Sequence, residues 1–238
     1  MTQQVLGLCT KKGGGMLKHI AIVLGGFVLM SGYTTLGLAS NDFAQNYTIS
    51  CGDPELVHQL VMQGEHLPVT YSRQCKILLN RAGSITALNS RYLNQMYTDT
   101  KIRVGPISET FRQLPSDYFE VTYRDVSEAQ TTEMELKAHV ATNDLTQVIR
   151  AVSATHVSGT GDAVFLRDFS AEQVVTKDPS SGQVFYFSET QSILIEEPWY
   201  AKLAPVSLFM MGCSSQFKNQ FIKYTNTNVE FVAKGLLN

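Results

Sequence analysis

Ser207–Lys234 reads SLFMMGCSSQFKNQFIKYTNTNVEFVAK, and its spacing decides the fold. Phe209, Met210, Cys213, Phe217, Phe221, Tyr224 and Phe231 recur at steps of three and four, which places them on one side of an α-helix. Lys218, Asn219, Gln220, Lys223, Asn226, Thr227 and Glu230 fall between them and face water. The run predicts a long amphipathic helix lying on a sheet. Thr225–Asn228 has low helix propensity and predicts a break or kink within the run. Leu203–Met211 is apolar enough to be buried on all sides.

The sheet lies upstream. Tyr118–Val126 alternates Tyr118, Glu120, Thr122 and Arg124 with Phe119, Val121 and Tyr123, and Thr132–Ala141 sets Met134, Leu136, Ala138 and Val140 on one face. A period of two marks half-buried antiparallel strands. Ala163–Arg167, Gln173–Thr176, Gln183–Ser188 and Ser192–Glu196 are shorter extended pieces, and Lys177–Gly182 has the composition of a hairpin loop. Leu145–Ala154 fits either helix or strand. About six strands joined by short turns imply an antiparallel sheet in an α+β domain.

Before the sheet, Asp53-Pro54-Glu55 carries helix-start chemistry: an N-cap aspartate and a proline at the first helical position. It predicts a helix through Leu56, Val57, Leu60 and Val61, ending at Gly64. Ser84–Tyr97 predicts a second, with Ile85, Leu88, Tyr92, Leu93 and Met96 on one face. Pro68–Tyr71 and Lys76–Leu79 read as extended, and Gly105-Pro106 and Pro115–Asp117 bracket a loop-rich crossing. Residues 40–238 are expected to form a single α+β domain, with a small helical part at 40–115 and the sheet plus C-terminal helix at 116–238.

The N-terminus carries a different signal. Lys18 and His19 precede the apolar run Ile20–Met30, and Gly37 and Ala39 supply small residues further on. A short basic region, an apolar core of about 7–15 residues and small residues at the cleavage site describe a secretory signal peptide. The expectation is a signal peptide over residues 16–39, cleaved after Ala39; a retained anchor over 17–39 is the alternative. Residues 1–15 do not fit that pattern. Lys11-Lys12-Gly13-Gly14-Gly15 before Met16 is what a purine-rich bacterial ribosome-binding site gives when translated, so 1–15 is read as a mistranslated leader. Lys11, Lys12 and Lys18 are the only charged residues before Asp42, and all 21 Asp and Glu follow them. The exported body is therefore mildly acidic and has no Lys/Arg cluster, which excludes nucleic acid as its main partner.

Once exported, Cys51 and Cys75 are placed to form a disulfide, and Cys213, on the apolar face of the last helix, reads as a buried thiol. No cysteine or histidine spacing supports a metal site, and no cofactor is implied. His58 and His66 read as surface residues. No G-x-S-x-G is present, and Ser158, His156 and Asp162 resemble a nucleophile turn only in composition, so no catalytic residue is assigned and a hydrolase is the weakest reading. Phe185, Phe187, Trp199, Tyr200, Phe209 and Met210 have the residue types either of a packed core or of an apolar ligand cavity between helix and sheet.

A helix laid across an antiparallel sheet resembles the plan of helix-grip, START-like ligand-binding domains, a likeness of architecture that no motif here carries. The expectation is an exported, non-catalytic binding protein of the bacterial envelope or exterior, periplasmic or secreted, with a hydrophobic small molecule or lipid as ligand. Its alternative is a structural component of an envelope or secretion complex with a protein partner. Contact with the membrane is expected only through the N-terminal segment, if it is uncleaved.

Overall fold

The computed structural model describes residues 46–96, 101–104, 107–115, 118–127, 130–159, 166–197, 199 and 205–237. Residues 1–39, read from the sequence as a leader and signal peptide, lie outside them. The strands are β1 (Tyr47–Cys51), β2 (Glu55–Leu56), β3 (His66–Leu79), β4 (Lys101–Val104), β5 (Ile107–Leu114), β6 (Tyr118–Ser127), β7 (Gln130–Thr142), β8 (Thr146–Gly159), β9 (Leu166–Lys177) and β10 (Val184–Glu196). Among the described residues two helices join them: α1 (Ile85–Met96), between β3 and β4, and α2 (Val206–Leu236) after β10. The strands make one antiparallel sheet in the order β1-β3-β10-β9-β8-β7-β6-β5-β4, with β2 also paired to β3.

The count of about six strands is corrected to ten among the described residues. Strands that read as separate pieces are continuous. Gln183–Ser188 and Ser192–Glu196 are both parts of β10, whose residues alternate between buried and less buried throughout its length. Pro68–Tyr71 and Lys76–Leu79 are likewise parts of β3. The ambiguous Leu145–Ala154 falls largely in β8, and the expected loop-rich crossing is occupied by β5, which pairs with β4.

The helix expected at Asp53–Gly64 is absent, so the described residues of 46–115 hold five strands and one helix instead of a helical part. The Cys51–Cys75 disulfide fixes the chain beside β3 in antiparallel register. It then continues extended: Glu55 and Leu56 face Ser72 and Tyr71, and the Val57 N–H donates to the Thr70 carbonyl at 3.0 Å. Of the expected stripe, Leu60 packs against the core, while Leu56, Val57 and Val61 stay exposed. Gly64, at φ 65°, makes the left-handed turn that returns the chain into β3.

Helix α1 starts at Ser84, whose hydroxyl accepts from the Ala87 N–H at 3.2 Å, and it buries Ile85 and Leu88. Helix α2 is 31 residues long and passes through Thr225–Asn228 without interruption. Tertiary contacts there outweigh local propensity, since Thr225 and Asn228 are fully buried. Its first turns are not buried all round: Val206, Leu208 and Met211 are exposed. Further along, Phe209, Cys213, Phe217 and Phe221 form the buried side, and Phe217 and Phe221 pack their rings against Tyr71 of β3 at 5.9 and 6.2 Å between centroids. The Tyr71 hydroxyl shares a 2.7 Å hydrogen bond with Ser214. Arg73 of β3 fastens the outer side of the helix, donating to the Ile222 carbonyl, to Asn226 Oδ1 and to the Gly52 carbonyl. Both helices thus rest on the inner face of the sheet. No helix among the described residues is long and apolar enough to cross a membrane.

Candidate functional site

The inner face is not uniformly apolar. Along β10 the buried row runs Phe185, Phe187, Glu189, Gln191, Ile193, Ile195; along β9 it runs Phe169, Ala171, Gln173, Val175. Polar residues interrupt both rows at the same level, because the register sets Gln173 opposite Glu189. From α2, Thr225 and Asn228 meet them. All five are at most 4% exposed.

One carboxyl organises the group. Glu189 Oε1 accepts from Gln191 Nε2 at 2.7 Å, Asn228 Nδ2 at 2.8 Å and Gln173 Nε2 at 3.2 Å. Three amide NH2 groups turned toward one oxygen leave their carbonyl ends turned away. Gln191 Oε1 and Asn228 Oδ1 are buried with no hydrogen-bond partner, as is Glu189 Oε2. The Thr225 hydroxyl lies beside the carboxyl without closing a hydrogen bond of ordinary geometry. Nearby on β8, Gln147 donates to Asn89 of α1 at 3.1 Å and also leaves its oxygen unpaired. Buried polar atoms are nearly always satisfied, so several orphaned acceptors in one place require an explanation.

Among the described residues no cation neutralises the carboxyl. Arg73 stands opposite Glu189 in the β3–β10 register but sends its guanidinium to α2 and to Gly52. Burial therefore raises the Glu189 carboxyl above the ordinary glutamate value, opposed by the hydrogen bonds from Gln191 and Gln173 and by Thr225 and Asn228. The native state holds this proton through a pH window in which the unfolded chain has already released it. Stability consequently falls as pH rises from the ordinary glutamate value through the raised one. Glu189→Gln removes that dependence. It is expected to match the parent below the window and to exceed it at neutral pH by about 1–3 kcal/mol, measured as urea unfolding across pH 4–8. Equal pH profiles for the two proteins contradict the assignment.

Of the aromatic set singled out in the sequence, Phe185, Phe187 and Phe209 lie in the contiguous core, with Met210 partly buried against it. Trp199 is 73% exposed. Tyr200 lies outside the described residues. A groove of about 680 Å³ opens elsewhere, on the solvent side of β3, β9 and β10, where Ser50, Asp53, Glu55, Lys76 and Tyr186 line it. It shares only Phe187 with that set. His156 and Ser158 stand in β8 opposite Met134 and Glu133, and Asp162 is outside the described residues. Cys51 and Cys75 are joined by a disulfide. Cys213 is buried but is not the free thiol expected, since it too is disulfide-bonded, its partner outside the described residues. Among the described residues no three His, Cys, Asp or Glu side chains gather to hold a metal.

The described strands form one antiparallel sheet with the helices on its inner face. No family model matches the chain, and no curated protein matches it. Among solved structures it is similar to the di-domain aromatase/cyclase BexL from the BE-7585A biosynthetic pathway, with TM-score 0.43, 8% identity, and 70% of this chain and 50% of that one covered. The chain thus spans half the length of BexL. It is also similar to the Zhui aromatase/cyclase from Streptomyces sp. R1128, with TM-score 0.40, 10% identity, and 71% and 91% covered. Human STARD10 matches with TM-score 0.34, 9% identity, and 88% and 84% covered. All three scores are below 0.5, and these likenesses carry no argument about ligand or activity.

Proposed function

We propose that the chain is an exported, non-catalytic binding protein of the bacterial envelope or exterior, and that its ligand is a small molecule with a hydrophobic body held between the sheet and α2. The observation that carries this reading is the Glu189 group: orphaned acceptors enclosed by apolar rows of the inner face. Such a group destabilises a purely structural core. It suits a site in which a ligand supplies the missing partners while its apolar part lies along Phe187, Ile193 and the α2 phenylalanines. Export rests on the basic start at Lys18, the apolar run Ile20–Met30 and the small residues before Ser40. Native mass spectrometry of protein purified from its host, with thermal shifts in bacterial lipid extract, tests the binding. Adduct masses and stabilisation are expected; a clean apo mass with no stabilisation rejects it. N-terminal sequencing of the exported protein should begin at Ser40.

A second reading, a component of an envelope complex, draws on one specific feature. Val206, Leu208 and Met211 are exposed at the start of α2. Crosslinked co-purification from envelope fractions supports it; a freely soluble monomer opposes it.

A further inference from the structure

Resting on the ligand-binding reading above, we infer that the Glu189 group is the head-group site for an amine: it receives the ammonium of a small molecule whose remainder is apolar. Three acceptors of the group have no donor: Glu189 Oε2, Gln191 Oε1 and Asn228 Oδ1. An ammonium carries three N–H donors and no acceptor. Its charge also answers the one deficiency of this carboxyl. The cross-strand Arg73 is turned away, and among the described residues only neutral amides donate hydrogen bonds to Glu189. A carboxylate ligand meets the opposite situation, acceptor against acceptor and charge against like charge. An alcohol has a single O–H to donate, satisfies one of the three acceptors and leaves the charge unpaired.

The site is closed as it stands, for Glu189, Gln191 and Asn228 are each fully buried. The helix reaches the carboxyl through Asn228, which donates to it at 2.8 Å. An ammonium that takes over that donation lets α2 move off β10 at this point without leaving the carboxyl bare. Thr225, one helical turn earlier, lies on the same side and is also orphaned. The residues that disfavour helix in sequence are thus the ones that a polar head group would meet.

Octylamine, octanol and octanoate test this, because they share one apolar body and differ in the head. Each is titrated into the folded full chain at pH 7, followed by thermal shift and calorimetry, against Glu189→Gln and Gln191→Met. Octylamine is expected to bind about tenfold or more tightly than octanol, as a charge-assisted hydrogen bond in a buried site requires, and octanoate weakest. Glu189→Gln should bring octylamine to the level of octanol while leaving octanol unchanged. Gln191→Met should weaken octylamine several-fold. If the three bind equally and Glu189→Gln changes nothing, the amine site is overturned while the ligand-binding reading stands. Octanoate binding as tightly as octylamine overturns the amine site in the same way. If none of the three binds, both fall.

Discussion

Phe221→Ala is expected to lower the unfolding free energy by about 3–5 kcal/mol, the range for truncating a fully buried phenylalanine. Phe221 is wholly buried on the sheet-facing side of α2, between Phe217 at 6.4 Å and Tyr71 at 6.2 Å, ring centroid to centroid. The cost has two parts: the apolar surface returned to water and the void left behind. The void closes poorly here. Tyr71 is held by its hydroxyl contact with Ser214, and Arg73 pins the next turn of the helix through Ile222 and Asn226, so neither wall can follow the missing ring. For a chain of this length the loss corresponds to a fall in melting temperature of the order of 10 °C. Asn219→Ala, on the exposed side of the same turn, should stay within about 0.5 kcal/mol of the parent. Chemical unfolding of both variants decides the matter, and a loss below about 1 kcal/mol for Phe221→Ala would mean that α2 is not seated on β3 by this row.

The same row explains what sequence could disclose. The four-residue spacing of Phe209, Cys213, Phe217 and Phe221 is a local signal, and it is legible. The alternation in Tyr118–Val126 and Thr132–Ala141 is legible for the same reason, because each strand reports its own two faces. What escapes depends on partners distant in the chain. Asp53-Pro54-Glu55 has good helix-start chemistry, yet the disulfide to Cys75 and pairing with Ser72 and Tyr71 hold it extended. Glu189 and Gln191 split β10 into two apparent strands, because polar residues on an inward row look like a turn until their partners on β9 and α2 are known. The signal is nevertheless present: Phe185, Phe187, Glu189, Gln191, Ile193 and Ile195 share one parity, and an unbroken alternation through a carboxylate is the mark of a buried polar site. Thr225 and Asn228 lie four and seven residues beyond Phe221, on the same helical side. The weak helix formers that suggest a kink mark the place where α2 meets a carboxyl.

Replacing both Cys51 and Cys75 by serine should cost about 3 kcal/mol, the chain-entropy value for a closed loop of this size, here a sequence separation of 24. The two residues are direct partners in the β1–β3 ladder, with Cα atoms 4.0 Å apart, so the bond joins neighbours that the sheet already aligns. It adds little to the native contacts; its effect falls mainly on the unfolded chain, which it prevents from separating the edge from β3. Within the native state the consequence is local. Among the described residues β1 is an edge strand with no partner on its other side, and β2 contributes only two paired residues. Without the crosslink, amide exchange should accelerate first in Tyr47–Cys51 and at Val57, while β9 and β10 remain protected. A double variant as stable as the parent would place the crosslink outside the stability of the fold. Faster exchange spread evenly over all strands would show instead that the edge unfolds only with the whole sheet.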